Sequence, residues 1–327
     1  DGTGDKLQAK FFGNVGYLYR RFAIFGELQY RMIDYRIGGT DETSADVAQN
    51  YVWNFVNPKV SMEYRIPRKK VNHSLTLSFS TANREPTRSD IIDAPSVKKP
   101  IPETLYDWEF SYLIKNRKFQ INTTLYGMYY RDQLVLTGEI NSVGAAIMAN
   151  VDKSYRIGIE IAAAYQPVRF FTWHINGCLS RNRIIDYVNY VDDWDNGGQV
   201  EEQLGNTPIA FSPAVVLAND FTFTPLKNFD ISLTTKFVSK QYLDNSGNDD
   251  RCLKPYSYTN LRISYAFEFK KFAKELGLFF QVNNLFNAQY ESNAWIYSYY
   301  YNGARYSDAG FYPQAGINFL GGVRLKF

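Results

Sequence analysis

Phe119-Gln120-Ile121-Asn122-Thr123-Thr124-Leu125-Tyr126-Gly127-Met128-Tyr129-Tyr130 is the stretch whose reading decides the fold. Its odd positions are Phe119, Ile121, Thr123, Leu125, Gly127 and Tyr129, and polar or amphipathic residues fill most of the even ones. Successive side chains of an extended chain point to opposite faces, so this is a strand with one apolar face. The same period sorts Tyr155, Ile157, Ile159, Ile161, Ala163 and Tyr165 from Ser154, Arg156, Gly158 and Glu160. It also sorts Phe171, Trp173, Ile175, Gly177 and Leu179 from Thr172, His174, Asn176, Cys178 and Ser180. Leu261, Ile263, Tyr265, Phe267 and Phe269 repeat the pattern. Aromatics at the ends of the apolar faces are the expected trace of two girdles around an apolar belt. Strands of roughly 10–16 residues exceed the about 5–6 usual in soluble sheets.

Composition agrees. Of 327 residues 17% are aromatic, with 26 Tyr and 24 Phe, and Tyr suits a membrane–water boundary. A mean hydropathy of −0.35 is compatible with membrane strands, because alternation cancels in the average. No apolar run reaches the about 18 residues of a transmembrane helix. A net charge of +3 gives nucleic-acid binding no electrostatic support. Two Cys and two His exclude most metal frameworks, and Cys178 and Cys252 read as free thiols. The chain opens Asp1-Gly2-Thr3-Gly4 without a visible signal peptide, which implies a processed or cut N-terminus for an outer-membrane protein.

Thirteen strands are expected, near 6–20, 21–37, 52–66, 72–84, 105–116, 118–132, 153–166, 169–183, 209–224, 228–241, 256–269, 276–290 and 314–327. The ninth carries Asn219 on the face of Val215, Leu217 and Phe221, and 293–303 either extends the twelfth or forms a loop hairpin. Short connections, such as Arg20-Arg21, Asn116-Arg117 and the basic Arg68-Lys69-Lys70 and Lys270-Lys271, alternate with long ones at 38–51, 85–104, 133–152, 184–208, 242–255 and 291–313. Short periplasmic turns and long extracellular loops are the layout of an outer-membrane antiparallel β-barrel. The first and last strands then run the same way, so the count is odd. Single-chain bacterial barrels have even counts, and residues 1–327 are expected to be one incomplete barrel domain.

The C-terminal half carries a further signal. Val282-Asn283-Asn284-Leu285-Phe286-Asn287 followed by Tyr290 resembles the V-x-N-L-F-(N/D)-x-x-Y segment of TonB-dependent transporters. Tyr312-Pro313-Gln314-Ala315-Gly316, Asn318-Phe319 and Gly321-Gly322-Val323-Arg324-Leu325-Lys326-Phe327 resemble that family's final strand. Asn83-Arg84-Glu85-Pro86-Thr87 resembles its R-x-P-(T/S) element, and Leu105-Tyr106-Asp107-Trp108-Glu109 its E-x-G strand, with Phe110 departing from the pattern. The wording is closest to Bacteroidetes members. The resemblance implies a barrel of about 22 strands around an N-terminal plug, of which this chain supplies the tenth to the last. It implies localisation in the Gram-negative outer membrane, against lipid and lipopolysaccharide. Its implied partners are the plug and remaining strands, TonB through the plug, the barrel-assembly machinery and a surface lipoprotein. No cofactor and no enzymatic activity are expected.

Terminal residues Ile317, Phe319, Val323, Leu325 and Phe327 share one face, with Arg324 and Lys326 on the other. Phe327 resembles the assembly signal of such barrels. Tyr297, Tyr299, Tyr300, Tyr301, Tyr306 and Tyr312, with Trp295 and Arg305, make 291–313 a ligand-capture candidate, against plain self-packing of a long loop. Arg84 and Arg88, beside Glu85, could meet an anionic ligand such as a ferric chelate, or simply be solvated. The loop 184–208 clusters Asp186, Asp192, Asp193, Asp195, Glu201 and Glu202; Asp192, Asp193 and Asp195 are weak Ca²⁺ candidates, and since the loop lacks the spacing of a calcium loop the stretch reads as solvated charge. Active uptake of an iron chelate, haem, cobalamin or glycan is the leading expectation, and a passive porin or structural barrel the alternative. His73, in an expected periplasmic turn, and His174, facing the lumen, have no matching Ser or Asp motif for an enzyme.

Overall fold

The structure, a computed structural model, describes residues 2–40, 46–92, 99–140, 144, 146–269 and 274–327. The strands are β1 (Gly2–Tyr19), β2 (Phe22–Gly39), β3 (Gln49–Ile66), β4 (Asn72–Arg84), β5 (Glu103–Lys115) and β6 (Phe119–Ile140). Then come β7 (Ala146–Val168), β8 (Phe171–Asp193), β9 (Gln199–Pro208), β10 (Val215–Leu226), β11 (Phe229–Val238), β12 (Gln241–Tyr242) and β13 (Cys252–Leu253). The chain ends with β14 (Tyr256–Glu268), β15 (Glu275–Asn283), β16 (Glu291–Tyr301), β17 (Ala304–Pro313) and β18 (Asn318–Lys326). A short helix, α1 (Arg88–Ile92), follows β4.

Thirteen strands pair in the order β1-β2-β3-β4-β5-β6-β7-β8-β10-β11-β14-β15-β18, all antiparallel along that path. This is the expected count. Among the described residues the sheet does not close on itself, and β1 and β18 are its edges. Both expected bounds of β4 hold.

Register places the two faces. Leu125 opposes Phe110 and Ile159, and Ile161 opposes Thr123 and Gly177, so one row of apolar side chains runs across β5–β8. The other row is hydrogen-bonded: Ser111 meets Thr124 at 2.8 Å, and Asp220 accepts from Thr222 and Thr234 at 2.9 and 2.6 Å. Asn219 lies on the apolar face as expected, where its Oδ1 accepts a 2.7 Å hydrogen bond from the Trp173 indole N–H. That bond offsets the cost of a polar group facing hydrocarbon. From Tyr155 to Tyr165 of β7 the chain takes ten residue steps; at about 3.4 Å each and a tilt of about 45° they rise about 24 Å, the height of an apolar barrel belt.

Several bounds differ from expectation for local reasons. Strands β6, β7 and β8 run 22, 23 and 23 residues, past the expected ends, because they continue above the belt, where alternation is no longer imposed. Past the positive-φ residue Asp132, the consecutive residues Gln133, Leu134 and Val135 are all buried. The twelfth strand stops at Asn283 rather than at 290. Asn284 and Asn287 adopt φ of 50° and 52°, and Asn284 bonds Ala288 N and O at 2.8 and 2.9 Å and Ala315 O at 3.2 Å. The Asn-Leu-Phe-Asn wording is thus a turn that also pins the start of the last strand, where Asn287 Oδ1 accepts from Ile317 N at 2.9 Å. The ninth strand starts at Val215 because 209–214 turns at Phe211 (φ 50°) and packs Ile209 with Val135, Val151 and Ile184. Residues 293–303 take the hairpin alternative. His73 sits in β4, not in a turn, and its Nδ1 lies 2.7 Å from Tyr112 Oη. Both cysteines are free, as read from the sequence. The pair Lys270-Lys271 lies outside the described residues.

Candidate functional site

Two hairpins stand at the end of the sheet opposite the short turns. The β8–β9 hairpin turns through Asp193–Gly198, with Gly197 and Gly198 at φ 75° and 78°. The β16–β17 hairpin turns at Asn302-Gly303, both with positive φ (51° and 68°), the geometry that Asn-Gly favours in a two-residue loop.

The hairpins are joined side to side. Tyr299 and Tyr300 bridge Asp192 and Asp193 in parallel, and Trp194 N donates to Tyr300 O at 3.0 Å. Trp194 stacks on Tyr299 at 4.0 Å and 16°, and Tyr299 on its cross-strand partner Tyr306 at 5.8 Å. Trp194 and Tyr306 are 56% and 46% exposed, so this three-ring ladder faces solvent while its middle ring is held from both sides.

Carboxylates hold the ladder in place. Glu202 accepts from Arg305 Nη1 at 2.6 Å, from Tyr300 Oη at 2.9 Å and from Asn189 Nδ2 at 3.0 Å. Burial works to raise the Glu202 carboxyl, and these hydrogen bonds with the Arg305 charge outweigh it, holding it below the usual carboxylate range. Asp195 caps the second turn, accepting from Asn302 N at 2.8 Å and Gly303 N at 2.9 Å. Asp192 accepts from Tyr297 Oη at 2.7 Å; burial first, then that bond, pushes the Tyr297 hydroxyl up to about 12. Asp193 accepts from the backbone of Asp195 and Asn196 within its own turn.

Beneath the hairpins, Glu139 lines a small polar cavity with Asp244, Ser298 and Arg305. Burial first, then the charges of Asp192 and Asp244, pushes its carboxyl up to about 7. Leu243 and Leu253 form the apolar floor on which Ala294 and Ile296 of β16 rest.

The structure therefore brings Tyr299, Tyr300, Arg305 and Tyr306 together with Asp192, Asp193 and Asp195, two groups that stand about a hundred positions apart in sequence. Among the described residues no group of three or more His, Cys, Asp or Glu is placed to hold a metal, and the three aspartates act as hydrogen-bond acceptors. Arg84 and Arg88 lie elsewhere, at the β4–β5 connection. Arg84 Nε pairs with Glu103 Oε1 at 3.0 Å. Arg88 packs against Gly2 and Gly4 of β1, its Nε buried without a hydrogen-bond partner among the described residues. Neighbouring Glu85, 9% exposed, is paired with Lys6 at 2.6 Å and Arg31 at 2.8 Å. Phe327 is 71% exposed at the sheet edge. Trp194 was not singled out from the sequence, and Glu202 was read only as one of the clustered carboxylates of 184–208; the Asn302-Gly303 pair marks the turn of the β16–β17 hairpin alone.

A family model described as "TonB dependent receptor-like, beta-barrel" matches residues 11–285. Among solved structures, the siderophore receptor PiuA from Acinetobacter baumannii matches with TM-score 0.74 and 13% identity, covering 100% of this chain and 44% of its own. The ferric yersiniabactin uptake receptor FyuA from Yersinia pestis matches with TM-score 0.65 and 13% identity over 97% of this chain and 46% of its own. The ferric citrate transporter FecA matches with TM-score 0.68 and 17% identity over 100% and 46%. The chain thus spans less than half the length of these receptors, and at such identities they speak to fold alone. No curated protein matches it in sequence. With a family model over most of its length and a sheet that follows the wall of solved receptors, the chain belongs to the TonB-dependent receptors and folds as β-barrel wall of the Gram-negative outer membrane.

Proposed function

We propose that this chain supplies wall and extracellular rim to a receptor that takes up a scarce nutrient, driven by TonB acting on a plug inside the barrel. The observation that carries the reading is the exposed ladder of Trp194, Tyr299 and Tyr306, fixed in place by Glu202 and Asp195. Rigid aromatic faces with hydroxyl edges lose little entropy on binding, and stack on planar or ring-bearing ligands. Iron chelates come first among such ligands, haem, cobalamin and glycans next. The names of PiuA, FyuA and FecA support that order, since all three are receptors or transporters for siderophores or ferric citrate.

The test is uptake by cells carrying the complete receptor, with radiolabelled ferric chelates, haem, cobalamin and oligosaccharides offered in turn. One ligand class is expected to accumulate. Accumulation should stop when the proton gradient is collapsed, and Trp194→Ala with Tyr306→Ala should weaken binding about tenfold or more. Uptake that persists without the gradient would identify a passive pore instead.

A further inference from the structure

Strand β6 breaks its register with β7 between Leu136 and Ile140. Gly138 lies in that irregularity with φ 96°, and a Cβ there would come within 2.7 Å of Leu243 O. A bulge re-aims the side chain beside it. Here that side chain is Glu139, which lines a second cavity, of 130 Å³, besides the small polar one already described. Leu136, Phe211, Trp295 and Tyr312 wall the larger cavity. Phe211 is set by its positive φ and by its N–H, which donates to Tyr242 O at 2.9 Å. Trp295 lies over its cross-strand partner Gly310, which has no Cβ to displace the indole. Tyr312 is half-exposed, so solvent reaches the cavity.

This carboxylate is short of a cation. Its oxygens have no hydrogen bond or ion pair among the described residues. The titratable groups around it are Asp192 and Tyr187 of β8, Asp244 of the β12–β13 connection, Tyr297 of β16 and Arg305 of β17. Arg305 is committed to Glu202 at 2.6 Å, and Arg251, the other arginine of this region, to Asp244 at 3.1 Å. Burial first, then Asp192 and Asp244, raises the Glu139 carboxyl to about 7, so above that pH the cavity holds a charge with no counter-ion. The walls decide which cation fits. A metal ion needs several oxygen ligands, and among the described residues no group of three or more His, Cys, Asp or Glu is placed to supply them. Aromatic walls with one carboxylate suit an alkylated ammonium, whose charge meets ring faces and whose methyl groups need no water. An apolar cavity of about 150 Å³ admits a benzene ring, so this one has room for such a head.

We propose that Glu139, Phe211, Trp295 and Tyr312 form a binding site for a small organic cation, an ammonium group with methyl or short alkyl substituents. Glu139 supplies the counter-charge and the three rings enclose the substituents. A cation held here ties the β6 bulge to the foot of the β16–β17 hairpin. It therefore braces that hairpin in the pH range where the bare Glu139 charge loosens it. The site is separate from the ladder of Trp194, Tyr299 and Tyr306 and does not depend on which nutrient the receptor transports.

The test uses the complete receptor in mild detergent at about pH 8, where Glu139 is ionised, with calorimetric titration and hydrogen exchange of residues 291–313 as readouts. Three probes are offered: choline, the uncharged alcohol in which carbon replaces its nitrogen, and Ca²⁺. Choline should bind and raise the protection of those amides about tenfold, and the other two should do neither. Binding should weaken as pH falls through about 7, and Glu139→Gln should abolish it. Trp295→Ala, which keeps the carboxylate, should weaken choline about tenfold. No binding of choline, or equal binding by the Glu139→Gln variant, would overturn the proposal. An equal response to the uncharged alcohol would reduce the site to an apolar void, and a response to Ca²⁺ in place of choline would assign it to a metal; either overturns the organic cation. If Glu139→Gln fails to fold, judged by loss of its heat-dependent gel shift, Trp295→Ala must still weaken choline binding and Trp295→Phe must restore most of it.

Discussion

The membrane wall and the joined hairpins above it are built from the same strands by different means. In the wall, β5–β8 are held by continuous backbone register, and side chains only choose between lipid and lumen. In the hairpins, order comes from side chains: one Arg–Glu pair, one aspartate on a turn and a stack of three rings. The wall should therefore tolerate side-chain change unless it violates the solvent, and the hairpins should yield to single deletions. Extracellular segments that must meet a ligand belong to the low-stability end of a protein, so this division suits a receptor.

The largest effect is expected from breaking the wall's one rule. Ile161→Arg puts a cation near the middle of the apolar belt and should cost about 2–4 kcal/mol. Equilibrium folding into lipid vesicles measures it, and a change under ~0.5 kcal/mol would mean the face is not lipid-exposed. Next is Arg305→Ala. It strands Glu202, whose side chain is 16% exposed, and should lower the opening free energy of β16–β17 by about 2 kcal/mol, with global unfolding unchanged. Trp194→Ala removes one ring of the ladder and should cost the hairpins about 1 kcal/mol.

Acidity sharpens the contrast further. Glu139 has a raised carboxyl pKa, so its contribution is present below about 4.5 and is lost as pH rises through about 7. Glu202 has a lowered one, so its contribution is present above the ordinary carboxylate value and is lost as pH falls below it. Hairpin protection, corrected for intrinsic exchange, should peak near the ordinary carboxylate value while the wall stays flat, and Glu139→Gln should abolish the fall toward pH 7. The smallest effect is expected from Asn219→Leu. It exchanges one hydrogen bond to Trp173 for a lipid-compatible side chain and should change stability by less than about 1 kcal/mol.

The same contrast explains what could be read from sequence. Lipid imposes alternation residue by residue, so β4 was legible to both ends, and Asn219 stood out as the one polar residue on its face. Above the belt that constraint lapses, and β6–β8 outran the pattern. The Asn284 turn was visible only as family wording, because its physical basis is a set of hydrogen bonds to Ala288 and Ala315. Tyr299, Tyr300, Arg305 and Tyr306 were legible as a cluster, but their partners Trp194 and Glu202 lie about a hundred residues earlier, and local spacing carries no trace of such a pairing. The acidic stretch read as solvated charge; in the fold, Asp192, Asp195 and Glu202 are the acceptors that hold the second hairpin.

The most direct test of the division between wall and hairpins is hydrogen exchange on the complete receptor with and without Glu202→Ala. The amides of 295–306 are predicted to lose protection about thirtyfold, while those of 157–163 in β7 stay as they were. Equal loss in both segments, or none in either, would contradict the account.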